Sequence, residues 1–208
     1  VRSQLASFWR GFTLDRYDGH GWVIDSQQVG ILIDRAGRFR FAEAPTRTPK
    51  GDTYVQSYFL KLRQPNAVFT AYSPGWLALG ASGAGTGQDS VAENVEYLQQ
   101  ASVYRAISPL PRVTPSGLAN DRVDRSDGTF LRIPEIPDRV RRLAEEIVEG
   151  ANTDYERAAR IERFLLTQYP YDLKVPPFPK DGDAVDTFLF ERQKGFCSHF
   201  ASAMAIMG

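Results

Sequence analysis

The sequence predicts an α+β protein, with a β-sandwich-like N-terminal domain followed by a helical C-terminal domain. As far as about residue 107, short apolar runs alternate with turn signals such as Asp18-Gly19 and Pro74-Gly75, which is typical of strands. After residue 137, apolar residues recur at spacings of three and four, which is typical of helices. Between these two regions the composition shifts to Pro, Arg, Asp, Ser and Gly, which indicates a surface connection.

These patterns predict three regions. Residues 1–107 form a β-rich N-terminal domain, residues 108–136 a linker, and residues 137–208 the helical part. With no long helical pattern among them, the strands of the first domain are expected to pack as a sandwich or barrel. The predicted strands are Phe8–Leu14, Trp22–Asp25, Gly30–Ile33, Tyr54–Leu62, Val68–Tyr72 and Val103–Ile107.

Four helices are predicted in the C-terminal region. The first places Val140, Leu143 and Ile147 on one face, and Gly150 is suited to end it. The second opens with a Thr153–Glu156 capping box and ends before a proline. The third carries the apolar residues Val185, Phe188 and Leu189, and the fourth carries Phe200, Ala203, Met204 and Met207.

Composition restricts the function classes. The chain has 208 residues, 42% of them hydrophobic, so it can bury a core and is not a disordered segment. Twenty-five basic residues balance 25 acidic ones, so net charge favours neither nucleic acid nor an anionic membrane as a partner. No apolar run approaches the roughly 20 residues that cross a bilayer, and we expect a soluble piece of a longer protein. Cys197 is the only cysteine, so an internal disulfide is excluded.

Cys197 falls in the first turn of the predicted fourth helix. The unpaired amides at a helix start favour the nucleophilic thiolate, and they can donate hydrogen bonds to an oxyanion. Gly195, two residues earlier, would permit a tight turn and the close approach of a substrate backbone. The alternative is that Cys197 is a small apolar residue filling a helix interface.

The residues around this cysteine resemble a known family. The segment DAVDTFLFERQKGFCSHFASAMAIM, Asp183 to Met207, is similar to the nucleophile segment of the bacterial transglutaminase-like superfamily, in which a Gly-aromatic-Cys triplet opens a helix rich in small residues. Leu131-Arg132-Ile133-Pro134 and Tyr169-Pro170-Tyr171 resemble the residues that precede this cysteine in the family. FWRGFTLDRYDGHGW, Phe8 to Trp22, resembles a stretch of its membrane-anchored, TgpA-like members.

The resemblance implies a fold and a reaction. Residues 137–208 would supply the helical first half of a papain-like transglutaminase core, with Cys197 as the catalytic nucleophile. The implied activity is that of a cysteine acyltransferase or protease that acts on protein or peptide amides through a thioester. No cofactor and no metal are implied. The parent protein would be bacterial, membrane-anchored and extracytoplasmic.

The catalytic His and Asp of the family follow the cysteine in sequence. We therefore expect this chain to be a truncated piece that ends just after the catalytic cysteine and is inactive alone. His199 lies two positions from Cys197, about 200° around a helix, so it cannot face the thiol and is interpreted as a packing or hydrogen-bonding residue. His20, in the Asp18-Gly19-His20-Gly21 turn, is interpreted as solvated.

Two further expectations concern partners. Without the strands that follow this helix in the family, the stripe of Phe200, Met204 and Met207 would be exposed, which favours self-association through the C-terminal helix. The alternative to an enzyme is a non-enzymatic module in which the β domain binds protein or glycan and the helical part is a degenerate remnant. A downstream His and Asp in the parent protein would discriminate between the two.

Overall fold

A computed structural model of the chain describes residues 9–11, 14–23, 38–40, 53–62, 68–71, 76–78, 84–86, 92–94, 103–110, 114–122, 128, 131–132, 135–176 and 181–208. The chain divides into two compact units. Unit 1 comprises Val1–Leu14 and Asp25–Arg112, and unit 2 comprises Asp15–Ile24 and Val113–Gly208. The α+β class predicted from the sequence is confirmed.

The strands and helices alternate little along the chain. The strands are β1 (Arg16–Tyr17), β2 (Trp22–Val23), β3 (Arg38–Arg40), β4 (Thr53–Phe59), β5 (Trp76–Ala78), β6 (Ala84–Thr86), β7 (Ala92–Asn94) and β8 (Val103–Pro109). The helices are α1 (Pro115–Asn120), α2 (Asp138–Val148), α3 (Asp154–Gln168), α4 (Ala184–Asp186), which continues as a π-helical segment (Thr187–Arg192), and α5 (Cys197–Met207).

Unit 1 is built on an antiparallel sheet with the strand order β3-β5-β8-β4. Side chains of β8 alternate between exposed and buried, so Tyr104 and Ala106 lie in the core, as expected for a sheet covered on one face. β6 and β7 form a separate two-stranded ribbon. The sandwich-like packing of this domain stays a prediction. The predicted strand Gly30–Ile33 lies outside the described residues.

Unit 2 is a helical assembly around one apolar core. α3 begins at its predicted cap, where Thr153 Oγ1 accepts from the amide of Glu156 at 3.1 Å. The Glu156 carboxylate accepts from the amide of Asn152, one residue before the cap, at 2.7 Å. α2 ends before Gly150, which has φ +73°, a conformation that favours glycine. The core residues are Tyr17, Ile136, Val140, Ile161, Leu165, Tyr169, Val185, Phe188, Leu189, Ala203, Ile206 and Met207.

The β1–β2 hairpin packs with the helices of unit 2, although the sequence analysis placed it in the β-rich N-terminal region. Tyr17 is 2% exposed, and its hydroxyl donates to the Gly19 carbonyl at 2.9 Å and accepts from the Val185 amide at 3.2 Å. The Ala184 amide donates to the same Gly19 carbonyl at 2.7 Å. The hairpin therefore joins the helical core through a buried side chain and backbone hydrogen bonds, and residue order does not reveal such contacts.

Candidate functional site

Cys197 is the first residue of α5, and its side chain is exposed. Its predicted position in the first turn of this helix is confirmed, and α5 packs against α2 and α3. The alternative interpretation, a small residue filling a helix interface, does not fit an exposed side chain. The thiol is thus open to solvent at the positive end of a helix.

The turn before Cys197 follows an irregular piece of helix. The π-helical segment ends where the amide of Gln193 donates to the carbonyl of Phe188 at 2.9 Å. Gln193 then takes a left-handed conformation, with φ +52°, which is uncommon for a residue other than glycine. This conformation redirects the chain toward Gly195, where it meets the segment that follows α3.

Gly195 is held by the backbone of residues 170–172. Its amide donates to the Pro170 carbonyl at 3.2 Å, and its carbonyl accepts from the Asp172 amide at 2.7 Å. Lys194 pairs with the Asp172 carboxylate at 2.9 Å, and this hydrogen bond, together with one from the Lys174 amide, lowers the pKa of Asp172. A short parallel bridge, anchored by a surface ion pair, therefore fixes the backbone two residues before the thiol.

His199 caps the start of α5 from inside the core. Its side chain is 6% exposed, and its Nδ1 accepts from the amide of Phe196 at 3.2 Å. The rings of Phe196 and His199 meet edge to face, with centroids 4.2 Å apart. Burial lowers the pKa of His199, which favours the neutral ring that this hydrogen bond requires. The interpretation of His199 as a packing and hydrogen-bonding residue is confirmed.

The side chain of His199 lies close to the backbone of Gly195. A Cβ atom at this position would lie 2.8 Å from Cβ and Cγ of His199, which is closer than non-bonded carbon atoms approach. The glycine therefore makes room for the imidazole ring of His199, while the approach of a substrate backbone at Gly195 stays a prediction.

Two amides remain open at the start of α5. The amide of Phe196 is bonded to His199, and the amide of His199 donates to the Phe196 carbonyl at 2.9 Å. Those of Cys197 and Ser198, at the first two helical positions, have no acceptor among the residues that the structure describes. Such amides beside a nucleophile can donate to the oxygen of a carbonyl under attack.

An aromatic pair lies beside the thiol. Phe200 is three residues after Cys197, so the two side chains lie on the same side of α5. The ring of Tyr171 stacks on Phe200 with centroids 6.0 Å apart and remains 61% exposed. Tyr171 also occupies the bridge to Gly195. From the sequence, Tyr171 was noted only as part of a motif that resembles the family, because a tyrosine 26 positions before the cysteine carries no local signal that the two residues are close in space.

The hairpin described above also reaches α5. Trp22 Nε1 donates to Ser202 Oγ at 2.9 Å, and the Trp22 ring lies 5.4 Å from that of Tyr17. The helix that carries Cys197 is therefore supported by the N-terminal hairpin. No local sequence pattern relates Trp22 to Ser202, so this contact was not predicted.

The apolar stripe of α5 is largely covered, contrary to expectation. Ala203 and Met207 are 0% and 7% exposed, and Phe200 and Met204 are partly buried against the same core. The helices of unit 2 cover this face without the later strands of the family core. The expectation that this stripe is exposed, from which self-association through α5 was inferred, is therefore wrong.

Neither histidine of the chain is placed as a base for Cys197. His20 is exposed in the hairpin turn, where its amide donates to Asp18 Oδ1 at 2.9 Å. His199 uses Nδ1 in the cap, and no hydrogen bond joins its ring to the thiol within the described residues.

The described ranges also contain no cluster of three or more His, Cys, Asp or Glu that could hold a metal ion. None of the described helices is long and apolar enough to span a membrane.

Part of the chain is similar to a known protein family. Residues 141–208 match the family model of the transglutaminase-like superfamily. A Pseudomonas aeruginosa protein named protein-glutamine gamma-glutamyltransferase is 28% identical over 99% of this chain. Bacillus subtilis YebA is 32% identical over 38% of the chain. The chain spans 28% of the length of the first relative and 11% of the second.

Solved structures show the fold. The periplasmic domain of TgpA from Pseudomonas aeruginosa, crystallised with ethylmercury, superimposes with a TM-score of 0.63 at 24% identity. The match covers 96% of this chain and 64% of that domain. A second crystal structure of the same domain gives the same TM-score at 20% identity. Residues 141–208 are therefore similar to the transglutaminase-like superfamily, and the fold of the chain is similar to that of the TgpA periplasmic domain.

Proposed function

We propose that Cys197 is the nucleophile of a transglutaminase-like cysteine acyltransferase or protease that acts on protein or peptide amides. The observation that carries the proposal is the exposed thiol at the first position of α5, inside the segment that matches the superfamily. The name of the Pseudomonas aeruginosa relative, a protein-glutamine gamma-glutamyltransferase, supports a glutamine side chain as the acyl donor.

The reaction follows from the chemistry of a thiolate. Sγ of Cys197 attacks the carbonyl carbon of the amide, a C–S bond forms, and the negative charge moves to the carbonyl oxygen. The open amides of Cys197 and Ser198 can donate to this oxygen. The C–N bond then breaks, and ammonia or an amine leaves with a proton, so that a thioester remains. A second amine or a water molecule attacks the thioester and releases the thiol together with a new amide or a carboxylic acid.

A base is required to take the thiol proton and to return it to the leaving group. Because the two histidines of this chain have other positions, we propose that a His and an orienting Asp after Cys197 in a longer protein complete the site. The isolated chain is then inactive, since removing the base from a nucleophile–base pair costs several powers of ten in rate. Similarity to a periplasmic domain supports an extracytoplasmic placement of the parent protein, and its membrane anchor is proposed only from the resemblance to membrane-anchored members of the family.

The proposal is tested in two proteins. In the 208-residue chain, iodoacetamide should alkylate Cys197 at neutral pH, but a glutamine peptide should not turn over. In the full-length protein, transfer of the glutamine acyl group to a fluorescent primary amine and its hydrolysis in water should both be measured. We expect Cys197→Ala to abolish whichever activity is found, and His20→Ala, in the exposed turn, to retain it.

Two results would contradict the proposal. Activity that survives Cys197→Ala would show that another group is the nucleophile. A full-length protein that is folded, retains a reactive Cys197 and catalyses neither transfer nor hydrolysis would favour the alternative, a binding module with a degenerate transglutaminase remnant.

A further inference from the structure

Two sets of contacts hold the backbone before Cys197. Both polar groups of Gly195 bond to residues 170–172. The ring of His199 also lies so close to Gly195 that no side chain fits at this position. The peptide that leads into the cysteine is therefore held by a bonded strand segment and packs against an imidazole ring.

His199 also determines which amides of α5 are left open. A helix start has four amides without intrahelical partners. The Nδ1 atom of His199 accepts the amide of Phe196, and the amide of His199 is bonded to the carbonyl of Phe196. The open amides are then those of Cys197 and Ser198, next to the exposed thiol.

The ring of His199 is itself fixed by packing. It contacts the ring of Phe196 at 4.2 Å and that of Phe188, from the π-helical segment, at 5.7 Å between centroids. With Nδ1 as the acceptor, the ring carries its hydrogen on Nε2. A buried ring in one tautomer holds the backbone more rigidly than a solvated side chain would.

We propose that His199 is a positioning residue for Cys197, which holds the Gly195–Phe196 backbone so that the thiol and the two open amides keep a fixed mutual geometry. The inference rests on the proposed function in that Cys197 is the nucleophile. His199 acts through the backbone, not on the substrate, which distinguishes it from the base that the reaction also needs. A displacement of about 1 Å in such a turn can cost on the order of 100-fold in rate.

The first test measures the backbone in the 208-residue chain by amide hydrogen exchange. The Phe196 amide should be protected in the unmodified chain and in His199→Gln, since a glutamine at this position can accept the same hydrogen bond. His199→Leu removes the acceptor, so protection of this amide should fall at least about tenfold. The amides of Cys197 and Ser198 should exchange rapidly in all three chains, and that of Met204, inside α5, should stay protected.

A second variant keeps the proposal testable if His199→Leu does not fold. Gly195→Ala places a methyl group against the His199 ring and should expose the Phe196 amide in the same way. The proposal is overturned if this amide stays protected in both variants.

The second test measures catalysis in the full-length protein. His199→Leu should lower kcat about 10- to 100-fold with little change in KM, and His199→Gln should restore kcat to within about threefold. Unchanged kcat in His199→Leu, despite an exposed Phe196 amide, would overturn the positioning role. Activity that survives Cys197→Ala would instead refute the proposed function while leaving the exchange result intact, so the two failures are distinguishable.

Discussion

At the scale of a single residue, His199 makes the start of α5 sensitive to pH. Burial, and to a smaller extent the positive charge of Arg192, lowers the pKa of the ring below the ordinary value of 6.5. The unfolded chain therefore takes up a proton near pH 6.5, while the folded chain resists it. The stability that His199 contributes is fully present above pH 6.5 and is lost as the pH falls toward the lower folded pKa.

The expected result is a difference between two proteins. The free energies of unfolding of the unmodified chain and of His199→Gln are compared by chemical denaturation between pH 5 and 8. The difference between them should be constant above about pH 6.5, and below that pH the unmodified chain should lose stability relative to His199→Gln. Both proteins share His20 and every carboxylate, so these groups cancel. A gap that is constant across the whole range would show that His199 is not held neutral in the fold.

At the scale of an element, α3 supplies the centre of the helical core through one face. Ile161 is 0% exposed, whereas Leu166, on the same helix, is 67% exposed. Ile161→Ala should therefore lower the free energy of unfolding by about 2–5 kcal/mol, because it removes buried carbon atoms and leaves a cavity. Leu166→Ala is the matched control and should change it by less than about 0.5 kcal/mol. Equal effects in denaturant titrations would contradict the assigned orientation of α3.

A partly buried ion pair, in which the Arg139 side chain is 46% exposed, also joins elements of unit 2. Arg139, on α2, forms a two-pronged contact with the carboxylate of Asp186, on α4, whose residue is 8% exposed. The guanidinium also lies over the ring of Phe190 at 4.7 Å. This arrangement satisfies a carboxylate that would otherwise be buried without a partner, and it links α2 to the helix that leads toward the cysteine turn.

At the scale of the whole molecule, unit 2 depends on ten residues from the N-terminal region, Asp15–Ile24. Residues 113–208 alone would lack the buried ring of Tyr17 and the Trp22 contact to α5. We expect this shorter chain to show no cooperative thermal transition and a weak near-UV circular dichroism signal. In the complete chain, Tyr17→Ala should cost about 3–5 kcal/mol, while His20→Ala in the same hairpin should be nearly neutral. A stably folded 113–208 chain would refute this dependence.

Sequence patterns were sufficient to predict the α+β class, the helices α2 to α5 and the position of Cys197 at a helix start, but not α1, which lies in the predicted linker. These features depend on helix caps and on apolar residues spaced by three or four positions, and both are local patterns in the sequence. Strands were less well determined, since the order β3-β5-β8-β4 depends on pairing between distant segments. Periodicity identifies which side chains face a core, but not which core they enter.

Three-dimensional contacts were needed to assign the hairpin to unit 2 and to reveal the packing of Gly195 and the surroundings of the thiol. Trp22 and Ser202 are 180 positions apart, and Arg139 and Asp186 are 47 apart. The contacts of Tyr171 with Gly195 and Phe200 likewise join segments that no local pattern relates. The physical reason is that packing and hydrogen bonding act over a few ångströms in space, whereas sequence patterns report only neighbours along the chain.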